Sequence, residues 1–302
     1  MTRLSGAILS CAAACGLAAA PSGAGECAQD VPAVRLMLHE PAVLAARMAL
    51  LGNTPDEPAA RGAAFRELFE AAGCAQINEQ GKGDRRNVEC LAPGTGDGVI
   101  VVGVSQEYDS LGSAALLPSL AEALAAVPRK HTYRWVEFSA HETVADRVNR
   151  VQKPKGATRL LDALSAEERA RIRQMIHIGP IGYGSVRRHP SGLDPKLVCL
   201  LEAAARTAGA QIGVDEIDQA DQCSRSGSAT RATGGSYFDA GCTRRTDWSG
   251  GHDWQPFRRV GIPVFGVHSQ GKAQFAGDID NAAYLRSYRM LAIFLALVDA
   301  EL

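Results

Sequence analysis

The chain has 302 residues, of which 46% are hydrophobic, enough to bury the core of one large α/β domain. Its 32 basic and 33 acidic residues give a formal net charge of -1. This balance argues against nucleic acid and against an anionic membrane surface as partners, so any partner has to be inferred from local features.

The first 24 residues have the features of a secretory signal peptide. Arg3 precedes an apolar run over 4–20, and the small residues Ser22 and Ala24 suit cleavage by a signal peptidase. An uncleaved anchor is the alternative, but the apolar run is shorter than the roughly 20 residues of a membrane span and is mostly alanine. We therefore expect an exported protein, periplasmic or extracellular, in which residues 25–302 form a single domain without a membrane span.

The cysteines favour disulfide bonds. Two of the eight, Cys11 and Cys15, lie in the signal segment, where neither follows a good lipobox for a lipid anchor, and the rest form an even set for an oxidising compartment. The most economical pairing closes two polar, glycine-containing segments as loops and ties down the N-terminus. It joins Cys74 to Cys90, Cys223 to Cys242 and Cys27 to Cys199. Other pairings stay open, and the absence of a CxxC spacing after the signal segment argues against zinc binding by cysteine.

Helical and strand-like patterns alternate along the rest of the chain. In chain order they predict helices over 41–51 and 59–72, a buried strand over 98–104, a helix over 113–126, a strand over 132–140, a helix over 165–173 with a capping box at SAEE, a strand over 175–182, a helix over 195–208, a strand over 263–267 and a helix over 281–297. Strands separated by helices imply an α/β fold of three layers, with a mostly parallel central sheet and helices on both faces. Residues 221–251 are predicted to be a long loop, and loops of this length are commonly functional.

Patterns of other catalytic classes are weak in this chain. A GxSxG nucleophile elbow is absent, and SRSGS over 224–228 has no preceding strand. The glycine-rich GTGDG over 94–98 precedes a strand, whereas phosphate-binding loops follow one, so it indicates a turn. The sequence does not exclude a catalytic Ser-His-Asp triad formed by residues that are distant along the chain.

A set of short motifs follows in order from 74 to 302. It runs NVECLAPGTGDGVIVVG, EYDS, GSAALLPSLAEAL, YRWVEFSAHE, MIHIGPIG and HDWQPFRRVGIPVFGV. This order closely resembles the di-zinc aminopeptidase family, which includes bacterial leucyl aminopeptidases and, more distantly, glutaminyl cyclases. The resemblance implies a zinc exopeptidase-like fold with a cleft at the carboxyl ends of the central strands, where open α/β sheets place their sites.

The resemblance also implies where a metal site would lie, and the first half of that site is altered. Glu107 stands where the family has its first histidine ligand, and Asp109 where an aspartate orients that histidine. The loop with the bridging aspartate is missing, because EYDSL runs directly into GSAALL. The Ala-Glu-Glu motif becomes AHE, which keeps Glu142 as a ligand and puts His141 in place of the general-base glutamate.

The second half of the site is altered as well. Gly179 stands in place of an aspartate ligand, and His177 lies about 6.6 Å away along the same strand, too far for a simple substitution. Trp254 stands in place of the last histidine ligand, where it would make the pocket apolar. His252, two residues earlier, would serve only if the loop shifts.

Two hypotheses follow. The first is a pseudopeptidase, a non-catalytic protein that binds a peptide, a protein or a small molecule in the residual cleft beside Asp109 and Trp254. The second is a metallopeptidase or related hydrolase with a rebuilt site for one zinc ion at most. Its zinc ligands would be Glu107, Glu142 and His252, and its base would be His141.

Overall fold

The computed structural model describes residues 34–82, 85–105, 111–139, 142–145, 150–153, 155–188, 194–214, 253–269 and 279–302. Within these residues the elements follow in the order α1 (Pro41–Asn53), α2 (Pro58–Ala71), β1 (Gln76–Lys82), β2 (Arg85–Ala92), β3 (Val99–Ser105), α3 (Leu111–Ala125), β4 (Thr132–Phe138), β5 (Glu142–Ala145), β6 (Arg150–Lys153), α4 (Lys155–Ala163), α5 (Ala166–Arg171), β7 (Ile172–Ile178), β8 (Val186–Arg188), α6 (Pro195–Ala208), β9 (Ile212–Val214), α7 (Gln255–Arg259), β10 (Val264–Ser269) and α8 (Asn281–Glu301). Every predicted helix and strand is found, with ends that differ by a few residues.

Eight strands form one sheet in the spatial order β1-β2-β4-β3-β7-β10-β8-β9. The four central strands, β4, β3, β7 and β10, run parallel, and so do β8 and β9. The pairs β1–β2, β2–β4 and β10–β8 are antiparallel. The expected parallel sheet is therefore found at the centre, with antiparallel pairs on both sides of it, while β5 and β6 form a separate antiparallel pair.

Local sequence explains where several helices begin and end. The side chain of Asp194 caps α6 by accepting a hydrogen bond from the backbone N–H of Lys196, and the helix ends at Gly209 in the left-handed conformation, with φ 64. The predicted capping box is present at the start of α5. There the Ser165 side chain accepts from the N–H of Glu168, whose carboxylate accepts from the N–H of Ser165.

Helices cover both faces of the sheet, as three layers require. The larger hydrophobic core lies on the face covered by α1, α2, α3, α6 and α8, which we call the large face. A smaller core lies beneath α4 and α7 on the opposite face, the small face. Alternate residues of β4 divide between the two cores, because Tyr133 and Trp135 belong to the large-face core and Val136 and Phe138 to the small-face core.

The predicted disulfide between Cys74 and Cys90 is present, with the two Cα atoms 5.9 Å apart. We expected the segment between these cysteines to be a loop, and this was wrong. It forms the antiparallel pair β1 and β2. Cys199 is also disulfide-bonded. Its predicted partner Cys27 lies outside the described residues, as does the predicted Cys223–Cys242 pair with the long loop around it.

The predicted signal peptide over 1–24 also lies outside the described residues. Among the helices that the structure describes, none combines the length and the apolar character needed to cross a membrane.

Candidate functional site

The carboxyl ends of the central strands meet at one edge of the sheet. Gly103 of β3 pairs with His177 of β7, which pairs in turn with Gly266 of β10, so these residues form one row across the sheet. Side chains alternate along a strand, and the residues two positions further on therefore share the same face. That next row contains Ser105 on β3 and His268 on β10, both on the small face.

A buried hydrogen bond joins this edge to a distant segment. The Ser105 hydroxyl donates to a carboxylate oxygen of Asp253, and both side chains are buried. Asp253 comes two residues before α7, so the bond fastens the start of that helix to the end of β3. A direct protein hydrogen bond thus holds the segment in which the resemblance implies the last zinc ligand.

Trp254 is the next residue of this segment and the N-cap of α7. Its side chain is 8% exposed and belongs to the small-face core. Phe138 and Phe257 lie in the same core, with ring centroids 6.1 Å apart in an edge-to-face arrangement. An indole packed among apolar residues cannot replace a histidine as a metal ligand.

Gly179 follows β7, and the resemblance places the family's second aspartate ligand at this position. A Cβ atom on this residue would lie 3.0 Å from the Cβ of His268 and 3.5 Å from the carbonyl oxygen of Val267. The backbone N–H of Gly179 donates to that same carbonyl over 2.8 Å, which holds the turn against β10. A side chain here would therefore lie tightly against His268, which would have to move by a few tenths of an ångström to accommodate it.

The end of β4 is held by a polar cluster. The Asn87 side chain accepts from the N–H of Ser139 over 3.0 Å and donates to the carbonyl of Gly156 over 2.8 Å. Arg159 donates to the Ser139 hydroxyl over 3.0 Å. A Cβ on Gly156 would lie 2.8 Å from the Asn87 side chain, so this close approach requires glycine. The NVEC motif, which begins at Asn87, contributes to the family resemblance, but the sequence did not predict that Asn87 holds the end of β4.

Glu137, near the end of β4, is fully buried, and neither of its carboxyl oxygens has a hydrogen-bond partner. Burial raises the pKa of Glu137 well above its ordinary value; the positive charge of Arg61 lowers it and the negative charge of Asp253 raises it further. Sequence reasoning missed this residue. The available signal was a charged residue in the inward-facing series Tyr133, Trp135, Glu137 of the alternating strand.

The structure describes only some of the predicted site residues. Glu142 is the first residue of β5, paired with Lys153, and its side chain lies outside the described part of the structure. The remaining predicted site residues lie wholly outside it; these are Glu107, Asp109, His141 and His252. Among the described side chains, no group of three or more His, Cys, Asp or Glu residues could hold a metal ion. Of the positions that the structure describes, Gly179 has no side chain and Trp254 is an indole, so these two do not supply the ligands that the resemblance implies.

No family model matches the chain, and no curated protein matches it. Solved structures do match. The glutaminyl cyclase of an Acidobacteriales bacterium is 17% identical with a TM-score of 0.62, covering 90% of this chain and 99% of that one. The glutaminyl cyclase of Fimbriiglobus ruber is 15% identical with a TM-score of 0.61, covering 88% and 98%. The LapA aminopeptidase of Legionella pneumophila is 9% identical with a TM-score of 0.60, covering 87% and 73%.

These likenesses confirm the predicted fold. At such identities they concern the fold and not the chemistry. The chain spans about half the length of another match, the aminopeptidase from Aneurinibacillus sp. strain AM-1, of which it covers 47% at a TM-score of 0.47.

Proposed function

We propose that this chain, which has the fold of glutaminyl cyclases and aminopeptidases, is a non-catalytic protein that binds a peptide, a protein or a small molecule in its residual cleft. The observation that carries this proposal is the anchoring of the segment before α7. Asp253 bonds to Ser105 and Trp254 is buried in the small-face core, where the resemblance would place a histidine ligand. Contacts with other protein side chains thus hold this segment in place.

The closed turn at Gly179 supports the same proposal. Catalytic zinc generally has three protein ligands and an open position for water. Gly179, which the resemblance places at one of these ligand positions, has no side chain, and a Cβ atom there would lie 3.0 Å from the Cβ of His268. A rebuilt site would have to draw its ligands from elsewhere.

The cleft edge still offers groups that bind ligands. Ser105, His177 and His268 share the small face of the central strands, and aromatic side chains adjoin them. Hydroxyl and imidazole groups beside aromatic rings suit a ligand with both polar and apolar parts, such as a short peptide. We propose that these residues contact it.

The rival function is that of a hydrolase with a single zinc ion. Glu142 favours it, because β5 begins four residues after the end of β4, close in sequence to the cleft edge. The rival requires Glu107, His252 and Glu142 to converge within about 2.0–2.2 Å of one point, with His141 as the base.

Metal content distinguishes the two functions. We would measure zinc by elemental mass spectrometry on mature protein purified without a histidine tag, alongside Glu142→Ala and the exposed control Glu70→Ala. The proposal expects no stoichiometric metal in any of the three, even after incubation with zinc. Stoichiometric zinc in the wild type and in Glu70→Ala, lost in Glu142→Ala, would overturn it in favour of the hydrolase.

Ligand binding needs its own measurement. We would record thermal shifts with a panel of tri- to hexapeptides for the wild type and His268→Ala, with the exposed Arg258→Ala as the control. The proposal expects stabilisation by at least one peptide, weakened about tenfold in affinity in His268→Ala and unchanged in the control. A panel that stabilises none of the proteins would contradict the peptide-binding proposal while leaving the metal result intact.

We also propose that the protein is exported. The Cys74–Cys90 disulfide supports this, because disulfides persist mainly in oxidising compartments. Fractionation of the producing cell followed by N-terminal sequencing should find a chain beginning near residue 25 outside the cytoplasm. A cytoplasmic chain that begins at Met1 would contradict export.

A further inference from the structure

Glu137 is a carboxyl group in an apolar setting. Its partners in register are Val104 of β3 and Val88 of β2, both fully buried residues of the large-face core. Glu137 is 0% exposed and neither of its oxygens has a hydrogen-bond partner. A buried carboxylate without hydrogen bonds is strongly unfavourable, so this setting keeps the group in its neutral acid form.

A second buried polar atom lies on the same face of β4. The indole Nε1 of Trp135, two residues before Glu137, has no hydrogen-bond partner either. Trp135 is 0% exposed and stacks on Tyr133, with ring centroids 5.1 Å apart. Its fluorescence can therefore report a charge that appears at Glu137.

Arg61 on α2 is the cation that can respond to such a charge, because a Cβ atom on the next residue, Gly62, would lie 3.7 Å from the side chain of Val88, the register partner of Glu137. Arg61 of α2 is 5% exposed, and its positive charge lowers the pKa of Glu137. The Arg61 Nε atom lies 3.3 Å from Asp56, a carboxylate that is 74% exposed in the turn between α1 and α2. Ion pairs with so exposed a partner are weak, so Arg61 can exchange Asp56 for a stronger anion.

We propose that Glu137 and Arg61 form a proton-operated switch beneath the end of β4. When Glu137 carries its proton, Arg61 pairs with Asp56 at the surface. When Glu137 releases its proton to solvent, the new anion attracts Arg61 away from Asp56 and towards β4. The negative charge of Asp253, in the segment before α7, opposes this ionisation, so Asp253 also affects the switch.

The switch acts on the edge where the cleft lies. Phe138 and Ser139 directly follow Glu137, and Ser139 is held by Asn87 and Arg159. A movement of the Arg61 side chain towards Glu137 would therefore take place one or two residues from the cleft edge. The inference is independent of the ligand or metal that the cleft holds.

The sign of the pH effect follows from the direction of the pKa shift. The pKa of Glu137 is raised in the folded protein relative to the unfolded chain. The folded protein therefore binds the proton more tightly, and this contribution to stability is complete below the unfolded pKa of about 4.5 and is lost as pH rises through the folded pKa. The stability of the wild type should fall with rising pH relative to a variant that cannot ionise.

The test is a tryptophan fluorescence titration from about pH 4 to about pH 10, with denaturant unfolding at each pH. The wild type should show a transition well above the ordinary carboxyl range. Glu137→Gln should lack both this transition and the associated loss of stability. Trp135→Phe should lose the fluorescence change and keep the stability change. The absence of any Glu137-dependent transition over this range would overturn the proposal.

Asp56→Asn tests the exchange of partners. It removes the carboxylate that competes with Glu137 for Arg61, so the midpoint of the wild-type transition should fall by about one pH unit. Glu70→Gln, which removes an exposed α2 carboxylate paired with Arg66, is the matched control and should leave the midpoint in place. An unchanged midpoint in Asp56→Asn would overturn the exchange. If Glu137→Gln fails to fold, the infrared band of a protonated carboxylic acid in the wild type, present at low pH and absent above the transition, gives the same answer.

Discussion

Two buried carboxyl groups lie at opposite ends of β4 and are held in opposite ways. At the amino end, Asp299 of α8 accepts hydrogen bonds from the backbone N–H groups of Lys130 over 2.8 Å and His131 over 2.9 Å. At the carboxyl end, Glu137 is fully buried and its oxygens accept no hydrogen bond. Both groups are buried, Glu137 on β4 itself and Asp299 on α8 against the start of that strand, but only Asp299 accepts hydrogen bonds.

This difference in hydrogen bonding suggests different roles for the two ends of β4. The amino end stabilises the fold, whereas the carboxyl end can contribute to function. Buried polar groups are usually hydrogen-bonded, and an exception needs an explanation of its own. Asp299 joins α8 to the start of the strand, where the fold places no site. Glu137 lies near the carboxyl end of the strand, on the side where open α/β sheets bind their ligands, and its carboxyl oxygens have no hydrogen-bond partner.

The largest expected effect is at the amino end. Asp299→Ala should lower the free energy of unfolding by about 3 kcal/mol, because the buried N–H of His131 and the partly buried N–H of Lys130 would lose their acceptor. Urea unfolding measures the change. Asp299→Asn keeps one acceptor oxygen and should lose about half as much. A loss below about 1 kcal/mol in Asp299→Ala would show that the two ends of β4 are not different in this way.

At the carboxyl end of β4, we expect a substitution to increase the free energy of unfolding. Glu137→Met should raise the free energy of unfolding at neutral pH by about 2 kcal/mol, since it replaces an unsatisfied buried acid with an apolar side chain of similar size. Glu89→Met is the matched control. Glu89 is equally buried but accepts hydrogen bonds from Asn78, Gln80 and Arg134, so its replacement should be destabilising. Equal effects in the two variants would contradict the contrast.

A smaller effect tests the fastening of α7 to the functional edge. Ser105→Ala removes the hydrogen bond to Asp253 and should lower the free energy of unfolding by about 1.5 kcal/mol. Ser287→Ala removes a buried hydroxyl that only bonds back to Ala283 within its own helix, and it should change stability by less. If the two variants lose the same amount in urea unfolding, the bond to Asp253 has no special part in holding the segment.

The smallest effect returns to the amino end. The Tyr133 hydroxyl donates to the carbonyl of Leu295 in α8 over 2.8 Å. Tyr133→Phe removes that donor without changing the ring, and should lower the free energy of unfolding by about 1 kcal/mol. In a double variant with Asp299→Ala the two losses should be less than additive, because both contacts join α8 to β4. Full additivity would mean that the contacts act independently.

The sequence predicts the regular elements of this fold well. The parallel strands at the centre are short apolar runs, and the helices show apolar spacing with recognisable caps, so local patterns suffice. The β1–β2 pair was predicted as a polar loop instead. Its polar side chains form hydrogen bonds between the two strands; Asn78 and Gln80, for example, donate to Glu89. Because these positions are polar, the alternation of apolar and polar residues that indicates a strand is weak.

The candidate site is predictable only in part. The motif order places Gly179 and Trp254 at ligand positions, and this stays a prediction; the structure adds that Gly179 lies close to His268 and that Trp254 packs in the small-face core. The hydrogen bond between Ser105 and Asp253 joins residues 148 positions apart, and no local pattern contains that information. The burial of Glu137 depends likewise on which face of β4 meets α2, which only the assembled sheet determines.

The disulfide that closes the first two strands also decides how the protein should be produced. β1 is the outermost strand on its side of the sheet and is hydrogen-bonded only to β2 within the described structure. In a reducing cytoplasm the Cys74–Cys90 disulfide would not form, and β1 could separate from β2. The unpaired backbone groups of both strands could then hydrogen-bond to other chains. Recombinant material made without oxidative folding would then consist partly of aggregates whose loss of binding says nothing about the cleft.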